Sequence, residues 1–232
     1  MAVVILLVGP TGSGRSSFVK AITGREDVGV GDVRPCTLKC ATYDVEIGGG
    51  KFILIDTPGF GSSVPTNLGV LKSISEEMSN LRLRKLKVNA SIFFHRITDG
   101  RMTGTVAQNL DTFKKMCGDG FFPQVAFATT HWDIVGPNGQ PRYDSIHAEL
   151  KRKHMNLGSG AVNSAVHKFK NDWESAVRLL KHCETVKNPS VEMLFATELE
   201  SKGWGPKAAQ KTTAGRAEVK RKSAGGGSCQ IL

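Results

Sequence analysis

Apolar residues in this chain come in short blocks whose spacing changes along its length. Residues 3–8, Val-Val-Ile-Leu-Leu-Val, are six apolar positions without a polar break, the pattern of a strand covered on both faces. Residues 39–47 alternate apolar and polar, and after the glycines at 48–50 the run 51–56 is apolar from Phe52 to Ile55, between Lys51 and Asp56. Together they predict an antiparallel hairpin whose second strand enters the sheet core. Further buried strands are expected at 90–95 and 124–130, and the last core strand within 158–169.

Between the strands the apolar spacing shifts to three and four. Helices are expected at 17–23, stopped by Gly24, at 68–87 with Leu71, Ile74, Met78 and Leu81 as core contacts, and at 103–116. Two more are expected at 143–155 and at 171–183, the latter burying Trp173, Ala176, Val177 and Leu180, before a short docking segment at 191–199. Strands that alternate with helices predict an α/β domain of three layers, its sheet mostly parallel with one antiparallel hairpin strand.

Composition changes this picture mainly at its end. The 232 residues, 40% hydrophobic and 22% charged, suit one soluble domain plus a tail. No apolar run nears the roughly 20 residues that a membrane helix needs. The stretch before the first strand is too short for a signal peptide, so the chain is expected to be cytoplasmic. Five cysteines at 36, 40, 117, 183 and 229 fit reduced thiols, and Cys36 and Cys40 lack a second pair at zinc-ligand spacing. The net charge is +10, and residues 201–232 hold seven Lys/Arg against Glu218 alone, so +6 of it lies there. The chain therefore divides into a domain at 1–200 and a basic tail of weak order at 201–232, with 225–228 as a flexible spacer. The body shows no basic stripe interleaved with aromatics, so no specific nucleic-acid partner is expected.

The chemistry begins where the first strand ends. Gly9-Pro10-Thr11-Gly12-Ser13-Gly14-Arg15-Ser16-Ser17 has the spacing of a phosphate-binding loop, with Arg15 where lysine is usual. Glycines there let backbone N–H groups face phosphate oxygens, the following helix directs its positive end at them, and Ser16 supplies a hydroxyl for Mg2+. A second site lies at Asp56-Thr57-Pro58-Gly59, at the end of a buried strand. The carboxylate of Asp56 can hold a magnesium-bound water, and Gly59 can offer its N–H to a terminal phosphate.

The phosphate loop, Thr37 and Asp56-Thr57-Pro58-Gly59 resemble the first three motifs of a Ras-like P-loop G domain. Pro35-Cys36-Thr37, the run from Ile55 to Phe60, and His95-Arg96-Ile97-Thr98-Asp99-Gly100-Arg101-Met102 are similar to the septin-like immunity-associated (GIMAP-type) GTPases and their fungal members. The resemblance implies that Thr37 is a switch ligand of Mg2+ beside Ser16 and Asp56, and that Gly59 opens the second switch. It implies that Arg96, or Arg101 as second choice, reaches the phosphates of a partner when two domains meet across their nucleotides; the alternative for Arg96 is a salt bridge with Asp99. Phe60 stands where small GTPases of the Ras type use glutamine to orient water, so unaided hydrolysis should be slow. Thr130-His131-Trp132-Asp133 matches the guanine-selecting motif at Thr130 and Asp133, with His131 in the lysine position. The final base-binding loop should lie near 166–169, where no usual signature occurs.

Cys229-Gln230-Ile231-Leu232 matches a prenylation box whose terminal leucine favours a geranylgeranyl group, and Lys220-Arg221-Lys222 lies upstream. A lipid plus a basic patch are the two signals that stable anchoring requires. The expectation is a GTP/GDP- and Mg2+-binding switch on a cytosolic membrane surface that hydrolyses GTP slowly or on homodimerisation; the alternative is a nucleotide-binding scaffold without turnover. The intact mass of the protein from its native cells should show a lipid on Cys229 and loss of the last three residues. An unmodified Cys229 still followed by Gln-Ile-Leu removes the anchor.

Overall fold

The unbroken apolar run forms β1 (Val3–Val8), all six of whose side chains are buried. The computed structural model describes residues 2–28, 38–99, 104–154 and 165–225. β1 pairs in parallel with β3 (Gly50–Asp56) on one side and β4 (Ala90–Arg96) on the other, so Ile5 lies beside both Leu54 and Ala90. β5 (Val125–Thr130) and the three-residue β6 (Val166–Lys168) extend the sheet in parallel, and β2 (Ala41–Ile47) closes the other edge antiparallel to β3. The order is β2-β3-β1-β4-β5-β6. β2 alternates between half-buried and exposed residues, as an edge strand covered on one face should.

Alternation along β1 divides the core in two. Val3, Ile5 and Leu7 face α1 (Arg15–Thr23) and α5 (Trp173–Val186), where Phe18, Val19, Leu179 and Leu180 meet them. Val4, Leu6 and Val8 face α2 (Asn67–Leu83) and α3 (Gly104–Cys117), against Leu71, Ile74, Phe113 and Met116. Each such side chain contributes roughly 1.5–3 kcal/mol relative to exposure, which is why no polar residue interrupts the strand. α4 (Gln140–His154) lies past the edge and buries Leu150 against Trp132 and Ile97. The predicted core contacts Leu71, Ile74, Met78 and Leu81 are all buried.

Trp173 was expected inside and is 55% exposed. It is the first residue of α5, past the carboxyl end of β6, where no strand lies beneath it. Leu179 and Cys183 fill the core instead, beside Ala176 and Leu180.

As far as Gly225 the expected weak order beyond residue 201 is corrected by three successive helices, α6 (Leu194–Lys202), α7 (Gly205–Ala209) and α8 (Thr213–Gly225); the rest of the expected tail lies outside the described residues. Ala208, Ala209 and Ala214 are buried in the same cluster as α2 and α3. Glu198 accepts from the backbone N–H and hydroxyl of Thr213 at 2.8 and 2.7 Å. Buried Glu218 accepts from Thr112 and Arg221, and Arg221 also donates to Asp111 and, at 2.8 Å, to the Thr112 hydroxyl. Residues that read by composition as a solvated polycation thus include ion-pair partners for α3 and small side chains that let helices approach closely. No described helix is long and apolar enough to cross a membrane. Thr37, Arg101 and Cys229 lie outside the described residues.

Arg221→Ala leaves the Glu218 carboxylate buried with one partner fewer and should lower stability to urea by roughly 1–3 kcal/mol. Lys220→Ala, at an exposed position, should change it by less than about 0.5 kcal/mol. Equal effects of the two would show that α8 is not docked through this network.

Candidate nucleotide-binding site

The loop after β1 is pressed against two neighbouring strands. A Cβ on Gly9 would lie 2.6 Å from the Phe94 carbonyl oxygen, so only glycine permits the turn beside β4. On the other side the Phe60 N–H donates to the Gly9 carbonyl at 3.1 Å, and the Thr11 N–H donates to the Phe60 carbonyl at 3.0 Å. These bonds bring Gly59 against Thr11, whose Cα would lie 2.5 Å from a Cβ there. The phosphate loop and the Asp56-Thr57-Pro58-Gly59 segment are therefore one surface. Phe60 itself is fully buried among α2 and α3 residues, so neither its chemistry nor its position suits it to orient water.

Ser16 and Ser17 lie in the first turn of α1, and the Ser16 hydroxyl donates to Asp56 Oδ2 at 2.7 Å. Asp56 is 1% exposed at the end of β3. A hydroxyl and a carboxylate joined beneath a phosphate loop fit Mg2+, which keeps several waters and takes few protein ligands. No cluster of three or more His, Cys, Asp or Glu able to hold a metal occurs among the described residues.

Arg15, whose place in the motif implies contact with the β- and γ-phosphates of a bound nucleotide, is bonded here to its own loop. Its Nη1 donates to the Gly9 and Pro10 carbonyls at 2.5 and 2.7 Å and to the Ser13 hydroxyl at 3.0 Å, while Nε donates to the Thr57 carbonyl at 3.2 Å. The guanidinium fills the inside of the loop, where its fork finds several acceptors at once, and is not directed outward to phosphates. Burial pulls its pKa down and Asp56, 3.7 Å away, opposes that shift.

Arg96, at the end of β4, is equally engaged with its own chain. Its Nε donates to the Gly12 carbonyl at 2.7 Å, and its Nη2 lies 2.1 Å from where a Gly12 Cβ would stand. Gly12 therefore makes room for the guanidinium. The alternative contact to Asp99 is not the bond this side chain makes.

The segment expected to select the base meets the loop through Thr130, whose hydroxyl donates to the Ser13 carbonyl at 2.9 Å; Gly14 packs beside it. His131 follows with φ +63° and with Nδ1 2.8 Å from the Thr130 hydroxyl. Trp132 points away: it is buried, and its indole N–H donates to the Thr129 carbonyl at 3.1 Å. Asp133 is exposed and accepts from Asn171 Nδ2 at 3.2 Å. Asn171 was missed as a site residue. Its φ is +60°, and Asp172 after it caps α5 by accepting from the Ser175 N–H at 2.6 Å. The legible signal was an Asn-Asp pair before a helix, residue types that tolerate a left-handed turn and cap a first turn. The loop between β6 and α5 thus stands beside Asp133.

Residues 4–118 match the sequence model of the 50S ribosome-binding GTPase family. No curated protein sequence matches the chain. Similar solved structures include a dimerisation-deficient mutant of Toc33 from Arabidopsis thaliana, 16% identical over 83% of this chain and 86% of that one, with a TM-score of 0.65. Toc33 in complex with GDP and Mg2+ is 18% identical over 80% of this chain and 84% of that one, with a TM-score of 0.59. Era from Aquifex aeolicus bound to GDP·AlF4− is 14% identical over 83% of this chain and 59% of that one, with a TM-score of 0.58. The fold is that of a P-loop GTPase G domain.

Thr130→Val should remove the tie between the base-selecting residues and the phosphate loop and leave the Ser13 carbonyl without this donor. The expected loss is about 1–2 kcal/mol by chemical unfolding, recovered in Thr130→Ser. A valine variant as stable as the parent would show that the tie contributes nothing.

Proposed function

We propose that this chain binds GTP and GDP with Mg2+ and hydrolyses GTP slowly, or efficiently only when two copies meet across their nucleotides, as a septin-like immunity-associated GTPase would. The observation that carries the reading is the Ser16–Asp56 pair beneath a phosphate loop on which Gly59 rests. Ser16, Asp56 and, by resemblance, Thr37 would hold the metal. When bound, Mg2+ neutralises charge on the β- and γ-phosphates. The N–H groups at the start of α1 and of Gly59 would bind phosphate oxygens, and Asp133, aligned by Asn171, would accept from the guanine edge.

Two features argue for slow turnover: Phe60 cannot activate water, and Arg15 is held by loop carbonyls. They also favour a second reading, a scaffold that binds nucleotide without turnover. Arg96 could supply the missing positive charge, since it lies on the phosphate loop; leaving Gly12 for a partner's phosphates would cost it one hydrogen bond. Dimerisation is important for the GTPase activity of atToc33 and psToc159, which supports testing the same dependence here. A prenyl group on Cys229 would tether the switch to a membrane. Lys220 and Lys222 are exposed to assist it, whereas Arg221 is committed to α3.

GTP affinity measured with Mg2+ and with chelator should differ by tenfold or more, and Ser16→Ala should abolish the difference; equal affinity for ATP overturns the guanine assignment. Single-turnover phosphate release should accelerate with protein concentration and vanish in Arg96→Ala. Release that is absent at every concentration establishes the scaffold reading instead.

A further inference from the structure

A groove of about 340 Å3 opens at the end of the domain opposite the phosphate loop, where Ala2 precedes β1 and Asn89 precedes β4. Its volume falls within the range of small-molecule sites. The floor is aliphatic, formed by Met78, Leu81, Val88 and Ala196, and one wall is the indole of Trp204. The Arg82 guanidinium lies over that indole, 5.4 Å from the ring centroid.

Trp204 has an unusual backbone. Its φ of 55° and ψ of 166° fall in a region that is essentially reserved for glycine, and Gly203 and Gly205 on either side have φ of 88° and 79°. A side chain as large as indole is held there only where its position is over-determined, and such strain collects at ligand clamps. Here the left-handed run ends α6, starts α7 and sets the ring upright beside Arg82.

The charges around the rim are sorted by wall. Arg82, Lys85 and Lys87 lie on α2 and the segment after it, whereas Glu192 and Glu200 lie on and just before α6. Among the described residues Lys85 and Lys87 have no carboxylate partner. An aliphatic floor with cations along one wall and carboxylates along the other fits a thin amphipathic anion whose head turns toward α2. We propose that this groove binds a medium-chain monocarboxylate, its alkyl chain along Met78, Leu81 and Trp204 and its carboxylate at Arg82, Lys85 and Lys87. The site is independent of the nucleotide reading, because none of its residues belongs to the phosphate or base loops.

The test is calorimetric titration with octanoate and decanoate below their micelle concentrations, paired with tryptophan emission. Saturable binding of one equivalent is expected, tightening by about fourfold per added methylene. The emission change should disappear in Trp204→Phe, which leaves Trp132 and Trp173 intact at the nucleotide end. Replacing Lys85 and Lys87 together with Gln, on the protein surface, should weaken decanoate at least fivefold and leave uncharged decanol unaffected. No saturable binding to the parent protein, decanol as tight as decanoate, or a lysine double variant with unchanged affinity would each overturn the proposal.

Discussion

Burial of β1 on both faces is the constraint from which the rest of this molecule follows. A strand flanked by parallel neighbours and covered by helices on each side has no exposed face on which to present chemistry. Its functional residues must therefore stand at its carboxyl end, where the chain has to turn sharply into α1. The turn is possible because Gly9 passes close against β4, and it is held because Phe60, on the β3 side, donates its N–H to the Gly9 carbonyl and accepts from the Thr11 N–H. The neighbours that bury β1 are thus the ones that deliver Asp56, Gly59 and Arg96 to its loop.

Two arginines give this site its character. Arg15 is committed inward, to carbonyls of the loop that carries it, and Arg96 is committed to Gly12 from outside. The planar fork of Arg15 reaches the carbonyls of Gly9, Pro10 and Thr57 at once, whereas Arg96 adds a single bond to Gly12. Slow turnover is proposed partly because of this arrangement: a guanidinium held by loop carbonyls is not at the mouth of the loop.

The helices beyond residue 201 extend the layer formed by α2 and α3. α2 begins soon after the Asp56-Thr57-Pro58-Gly59 segment and ends at the groove beside Trp204, so one helix joins both poles of the domain. Its middle is covered by α7 and α8 through small residues, and the contact is sealed by the Glu218, Arg221 and Thr112 network on α3. The basic end of the chain is consequently part of the domain as far as Gly225.

How much of this was legible depended on whether the relevant physics is local. The strands, the main helices and the phosphate loop follow from periodicity and from a motif whose spacing is set by backbone geometry, and these the sequence determined by itself; that Ser16 and Asp56 stand together was implied only by the resemblance to a G domain. Three things were decided only by tertiary structure. Arg15 took loop carbonyls as partners because acceptors from separate segments converge on it, and Arg96 took the Gly12 carbonyl because the sheet sets the end of β4 beside the phosphate loop; no spacing rule records either. Asn171 became a neighbour of Asp133 because the sheet sets β5 beside β6, although 38 residues separate the two in the chain. The 201–225 segment ordered because its charges and small side chains found complementary surfaces on α3 and α2, while composition averages over direction and so reads the same residues as solvated.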